Sequence, residues 1–375
     1  MNILICPDKF KGSLSAKEVC DAVAEGLLKN NPGVVIRSVP LADGGEGTCD
    51  LLTEWYEGSK IELEVHGPLL SPVRATYGLS KDGKTAFIEM AGASGLTLLN
   101  AGDRNPLMTT TLGTGELIAD AIRRKVGKII LGIGGSATND AGIGMAQALG
   151  YKFLDAGGEA LKPTGENLIH IKWIDGGSVD PLLRAVSVIT LCDVANPLFG
   201  PEGAAYVYGP QKGANQQAVE LLDAGLRNFR RVVHKYLKTS VDFPGAGAAG
   251  GLGAGAKVFL NASIEKGINY IIQSTLLTEK IREADLVITG EGKIDRQTFS
   301  GKVVSEVMTL AGKMGKPVVA ICGKCDLPQK ELDGYGLKKV IALVDGYTTA
   351  ESAIEHAALH ISRKVMEECK NITEL

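Results

Sequence analysis

The chain has 375 residues, more than a single hydrophobic core usually serves, so two domains are expected. It is 45% hydrophobic and 22% charged, as soluble globular proteins are, and its net charge of −3 removes any bulk argument for nucleic acid or an acidic membrane as partner. Aromatics at 5% argue against base-stacking platforms, and no apolar run approaches the roughly 20 residues of a membrane span.

The opening "MNILICPDKF" is too short for a signal h-region, so a cytoplasmic protein is expected. Seven scattered cysteines fit reduced thiols better than a disulfide framework. Cys322 and Cys325 have C-x-x-C spacing, but no second close pair could complete a zinc site. They read as two incidental thiols at a strand end. His356 and His360 lack the Glu of H-E-x-x-H and read as a solvated helix face.

In chain order, residues 3–6 form a short apolar strand. Ser15 and Glu18 make a capping box, which predicts a helix to about residue 29. A strand over 34–39 and a helix over 46–56 follow. Residues 60–99 change character. "KIELEVHG", "RATYGLS" and "TAFIEM", separated by Gly and Pro turns, predict antiparallel pairing. Helical periodicity returns over 114–124. "KIILGI", "SVITL", "DLVIT", "PVVAIC" and "KKVIAL" are short and nearly all apolar, as buried parallel strands are. The Gly/Ala stretch 245–256 reads as a close-packed loop leading into a helix. The last helix starts at a second capping box, Thr348 to Glu351, and runs to about Cys369. This alternation predicts an α/β fold. Residues 1–60 and 280–375 build a discontinuous doubly wound parallel domain, and 61–279 an inserted mixed α/β domain. The ligand site is expected in the cleft between them, at carboxyl ends of strands.

Polar residues gather at those strand ends. "LGIGGSATNDAGIGMAQALG" (131–150) ends a strand at Gly134 and Gly135. Ser136, Thr138, Asn139 and Asp140 then lead into a helix. Glycine amides and a helix N-terminus would together favour a phosphate or carboxylate. "CPDKFKGSLSA" carries Asp8, Lys9, Lys11 and Ser13. "PLADGGEGT" carries Asp43 and Glu46, and "TLCDVANPL" carries Asp193 and Asn196. "DLVITGEGKIDRQTFSGK" ends a strand near Thr289, then presents Gly290, Glu291, Gly292, Lys293, Asp295 and Arg296. Carboxylates, lysines and glycine turns that converge in this way suit a small anionic substrate with a metal-bound polyphosphate. No Walker P-loop or protein-kinase signature occurs. The one G-x-G-x-x-G, at Gly245, Gly247 and Gly250, follows no hydrophobic strand and is rejected as a dinucleotide turn.

The segments "PDKFKGSLSA", "PLADGGEGT", "GGSATNDAGIGMAQALG", "CDVANPLFG", "GAAGGLGAG" and "TGEGKIDRQTFSGK" resemble those of the bacterial type I glycerate kinases. They run in the expected order from residue 7 to 302. The resemblance implies ATP-dependent phosphorylation of D-glycerate, usually to 2-phosphoglycerate, by a protein of two α/β domains, one flavodoxin-like. Three positions depart from the pattern: Lys9 and Arg296 stand where Ser is expected, and Ala141 where Gly is common.

Chemistry and position then suggest roles. Lys293 pairs with ATP phosphates, beside Gly290 and Gly292, which allow close backbone approach. The turn of Gly134, Gly135, Ser136, Thr138 and Asn139 is the other candidate phosphate site. Asp295 and Glu291 are candidates for Mg²⁺. Asp193 is the expected general base, with Asp43 as rival. Lys11 is placed for the glycerate carboxylate, with Asp8, Ser13 and Glu46 as further substrate contacts. A kinase for a related small hydroxy acid stays open, and a homo-oligomer is compatible with the sequence. A nicotinamide-dependent oxidoreductase would need a dinucleotide fingerprint, and a periplasmic-type binding protein a signal peptide; neither is seen.

Overall fold

The computed structural model describes residues 1–42, 44–299 and 301–374. Its strands in chain order are β1 (Asn2–Ile5), β2 (Val35–Ser38), β3 (Ser59–His66), β4 (Pro72–Leu79), β5 (Thr85–Glu89), β6 (Lys128–Gly132), β7 (Lys152–Leu154), β8 (Trp173–Asp175), β9 (Ser187–Leu191), β10 (Ser263–Glu265), β11 (Leu286–Ile294), β12 (Val318–Cys325) and β13 (Lys339–Ala342). The chain divides into two compact units. One is Met1–Asp43 with Ile268–Leu375, and the other is Gly44–Gly267. Both junctions fall earlier than the 60 and 280 read from the sequence. The first moves because helix Thr48–Trp55 packs on β4 and β5. A Cβ at Gly78 of β4 would lie 1.6 Å from Thr53 Oγ1, so glycine there lets the helix close down.

The split unit is an all-parallel sheet ordered β13-β12-β11-β1-β2. Ile3, Ile5, Leu286, Ile288, Val319 and Ile321 form a core with Val19 and Val23 of helix Ala16–Asn30 and Ile361 and Val365 of helix Ala357–Thr373. Leu4, Val287, Val318 and Ala320, out of phase by one residue, are buried too, and helix Val303–Lys313 packs on β11 and β12. Period-two alternation with both sets buried is what helices on two faces require. The edge strands are less covered: β13 is only partly buried, and β2 less still, with Val35 largely exposed. The Ser15–Glu18 capping box forms as read. The last helix is two pieces, Ala350–Glu355 and Ala357–Thr373. His360 is not simply solvated, because its Nε2 sits 3.0 Å from Ser352 Oγ on the first piece.

β11 also differs from expectation. It does not end at Thr289 but runs to Ile294, which lies opposite Cys325. Its glycines tighten the sheet rather than break the strand. A Cβ on Gly290 would lie 2.2 Å from Ile321 O, and one on Gly323 would lie 2.6 Å from Gly292 O.

The inserted unit holds a six-stranded mixed sheet, ordered β10-β9-β6-β5-β4-β3. β10, β9, β6 and β5 are parallel. β3, β4 and β5 pair antiparallel, with Ser59 opposite Leu79. This is the pairing expected of residues 60–99. β7 and β8 make a separate antiparallel ribbon. Helices Leu112–Arg123, Gln216–Leu237 and Ala248–Leu260 contribute Leu117, Phe229 and Phe259 to its core. The Gly/Ala stretch is itself the start of helix Ala248–Leu260, kinked through left-handed Ala249, Gly250 and Gly251. Among the described residues, no helix is long and apolar enough to cross a membrane.

Candidate active site

In the parallel unit, β1 is the strand from which the sheet grows both ways, to β2 on one side and to β11 on the other. Ligand crevices form beyond the carboxyl ends of strands at such a reversal. A cavity of about 500 Å³ lies there. Asp8, Lys11 and Ser13 line it from the loop after β1, and Glu291, Gly292, Lys293 and Asp295 line it from β11 and just beyond. Glu291 and Lys293 alternate along an extended strand and so share a face. Lys9, Lys302 and Lys324 also line the cavity. Five lysines stand against three carboxylates (Asp8, Glu291 and Asp295), a balance that favours a polyanion.

Internal bonds set this wall. The Asp8 N–H donates to Gly290 O at 2.8 Å, and the Lys9 N–H donates to Asp8 Oδ1 at 2.7 Å. Ser13 Oγ donates to Ile354 O at 2.6 Å. Lys293 Nζ lies 2.7 Å from Asp326 Oδ2 and 3.3 Å from Asp295 Oδ2. These partners, Asp326 foremost, raise the lysine's pKa. Asp295 Oδ1 accepts from the Gln297 N–H at 2.9 Å. That bond, and then Lys293, hold its carboxyl below the usual range. The glycines serve differently from expectation. Gly290 is buried against β12 and does not reach the cavity. Gly292 lines the cavity, but the space its missing Cβ leaves faces the backbone of Phe10 and Lys11, at 3.4–3.5 Å.

In the mixed-sheet unit, exposed Asp193 stands just past β9. Its Oδ1 accepts from the Gly267 N–H at 3.0 Å. A Cβ on Gly44 would lie 3.2 Å from Asp193 Oδ2, so the loop that carries exposed Glu46 passes beside this carboxylate. Asp43, the rival base, lies outside the described residues. Gly134 follows β6 next to the same loop, with its Cβ position 3.6 Å from Gly45 Cα. Glu89, at the end of β5, was not singled out from the sequence. Its Oε1 accepts from the Cys49 N–H at 2.9 Å, which satisfies a first-turn amide of helix Thr48–Trp55.

The predicted 134–139 turn divides in two. Gly134 and Gly135 are exposed and Ser136 is at its margin, 9% exposed, whereas Thr138 and Asn139 are wholly buried. A surface anion meets only the first three. The rest lie beneath because the 245–255 segment packs over them. A Cβ on Gly250 would lie 2.0 Å from Thr138 O and 2.5 Å from Asn139 Cα. Nor does a helix dipole aid the turn, since the following helix begins only at Ile143 and has six residues. Asp140 is buried, and that pushes its carboxyl up. Its oxygens accept from the Thr111 N–H and hydroxyl at 2.7 and 2.8 Å and from the Gly142 N–H at 3.1 Å. Ala141 has φ 52°, a left-handed conformation that glycine adopts without strain.

The comparisons with known proteins agree with one another. The family model of the glycerate kinase family matches residues 3–373. A Bacillus subtilis glycerate kinase is 44% identical over 97% of this chain and 95% of its own. An Escherichia coli glycerate 2-kinase is 47% identical over 83% of this chain and 82% of its own. A crystal structure of a Salmonella typhimurium chain, described as a candidate glycerate kinase 2, superposes with a TM-score of 0.90 at 42% identity, covering 100% of this chain and 98% of that one. The chain belongs to the glycerate kinase family.

Proposed function

We propose that the protein transfers the terminal phosphoryl group of ATP to a hydroxyl of D-glycerate, with 2-phosphoglycerate as product. The observation that carries this reading, beside family membership, is the five-lysine cavity at the strand reversal of the parallel unit. Counted within that unit, the strand order is 2-1-3-4-5, which supports a doubly wound, flavodoxin-like reading. Phosphoryl transfer needs positioning and charge stabilisation more than covalent chemistry. Lys293 would exchange Asp326 and Asp295 for phosphate oxygens, and Lys11 would take an anionic group of the acceptor. Asp8, Ser13 and Glu46 are proposed as further substrate contacts.

Among the described residues, no three His, Cys, Asp or Glu side chains could hold a metal by themselves. Mg²⁺ in such enzymes takes one or two carboxylates and otherwise keeps water and substrate phosphates. Glu291 and Asp295, hard oxygen donors on one cavity wall, fit that demand. When bound, the ion would neutralise charge on the transferring group. Asp193 is the proposed general base. The Gly267 N–H orients its carboxylate, which would accept the hydroxyl proton as the new P–O bond forms. Gly134, Gly135 and Ser136 are proposed to bind an anionic group through the turn, either nucleotide phosphate or glycerate carboxylate. A coupled ADP-release assay tests the reading: ADP should form only with glycerate and Mg²⁺ present. ADP release that ignores glycerate overturns it.

A further inference from the structure

Lys212, unremarkable in "GPQKGAN", is only 2% exposed. It ends a short turn, Pro210–Lys212, and its Nζ donates to Ser136 Oγ at 2.7 Å and to Thr138 O at 2.7 Å. The turn is fixed: Gly213 has φ 93°, and a Cβ there would lie 2.1 Å from Arg104 O. Beneath Ser136, the buried Thr138 hydroxyl and both polar atoms of the Asn139 amide have no partner among the described residues. Ser136 is therefore the point where a buried polar cluster reaches the surface. Its hydroxyl accepts from an ammonium, so its own proton must go elsewhere. No described residue accepts it, and Ser136 directly follows the exposed Gly134 and Gly135.

We infer that Lys212 is a positioning residue: its ammonium turns the Ser136 hydroxyl outward, so that Ser136 donates to the anionic group bound at the 134–136 turn. This rests on the proposal that the turn binds such a group. The charged group that acts on Lys212 is Asp140, on the segment after the turn. Burial pulls the Lys212 pKa down to about 7, and only Asp140 opposes it. Below that pH the ammonium forces the hydroxyl outward. Above it the neutral amine accepts the Ser136 proton, and the donor is withdrawn from the ligand. Affinity at the turn should thus fall as pH rises through 7. Folding stability from this group moves the other way. The unfolded lysine keeps its proton to a higher pH, so stability rises between about 7 and the unfolded pKa near 10.4.

The test is KM for ATP and, separately, for D-glycerate between pH 6 and 8.5, in wild type, Ser136→Ala, Lys212→Met, the double variant and Gly134→Ala. Ratios to wild type at each pH cancel the ligands' own titration, and whichever KM moves identifies the bound group. Ser136→Ala should raise one KM on the order of tenfold at pH 6, the worth of one hydrogen bond to a charged group, and the ratio should close toward one at pH 8.5. In the Lys212→Met background, where no amine can take the Ser136 proton, the cost of Ser136→Ala should be the same at pH 6 and pH 8.5. If Lys212→Met does not fold, Ser136→Ala alone decides. A pH-independent ratio, or no change in either KM while Gly134→Ala still weakens binding, overturns the role of Lys212. Unchanged KM values in Gly134→Ala overturn the anion-binding turn itself.

Discussion

The G-x-G-x-x-G of residues 245–250 is assigned here to chain packing, and Gly250→Ala measures that assignment. Gly250 has φ 67°, and a Cβ on it would stand 2.0 Å from Thr138 O and 2.5 Å from Asn139 Cα. Gly158, in the same unit, has φ 85° with nothing within 4 Å of its Cβ position. An alanine at either glycine meets the left-handed penalty, roughly 1–2 kcal/mol. Only Gly250→Ala adds overpacking against fixed backbone, about 1–3 kcal/mol more. For a unit of this size each kcal/mol moves the melting midpoint by about 2–4 °C. Gly250→Ala should therefore melt roughly 2–12 °C below Gly158→Ala by circular dichroism. Its carbonyl partner Thr138 O also accepts from Lys212, so the variant should lose activity at temperatures where it remains folded. Equal melting points for the two variants would refute the packing account.

Two further outcomes concern the proposed site and a third the end of β12. Asp193→Asn should lower kcat by about a hundredfold or more, as loss of a general base does, with little change in KM for ATP; near-normal kcat would move the base to Asp43. Asp295→Asn should raise the Mg²⁺ midpoint and KM for ATP together, and an unchanged Mg²⁺ midpoint in a rate titration would leave this carboxylate only as the cap of the Gln297 turn. Cys325 is half-buried, and a hydrogen bond from Cys322 brings its pKa down to about 6, whereas the other described cysteines are buried. Iodoacetamide at pH 7 should label Cys325 first, with a rate that falls once pH drops below about 6; mass-spectrometric mapping that finds labelling spread over several cysteines would contradict this.

Much of the fold was legible where one local rule sufficed. The apolar runs of β6, β9, β12 and β13 read as parallel strands, and they pair so, although β13, at a sheet edge, is only partly buried. The Ser15–Glu18 box marked its helix for a purely local reason. Misreadings arose where the deciding partner is distant in sequence. Gly290 and Gly292 resembled a turn, yet they continue a strand that pairs with β12 as far as Ile294, and at Gly290 the close Ile321 O leaves no room for a side chain. Thr138 and Asn139 looked like surface hydroxyl and amide groups, but Gly250 brings a second segment down over them. Lys212 carried no signal, since nothing in its neighbourhood announces burial beneath a turn some 76 residues earlier. The site residues of the parallel unit were easier to find: Asp8, Lys11, Ser13, Lys293 and Asp295 each sit just past, or at the end of, a strand the pattern had identified, and all five line one cavity.

The most direct test of the proposed reaction is a phosphorus NMR spectrum of the protein incubated with ATP, Mg²⁺ and D-glycerate. The account predicts loss of the ATP γ-phosphate signal and growth of ADP and 2-phosphoglycerate signals in equal amounts, with no change when glycerate is omitted. An unaltered ATP spectrum, or phosphate released to water with no phosphoglycerate formed, would contradict it.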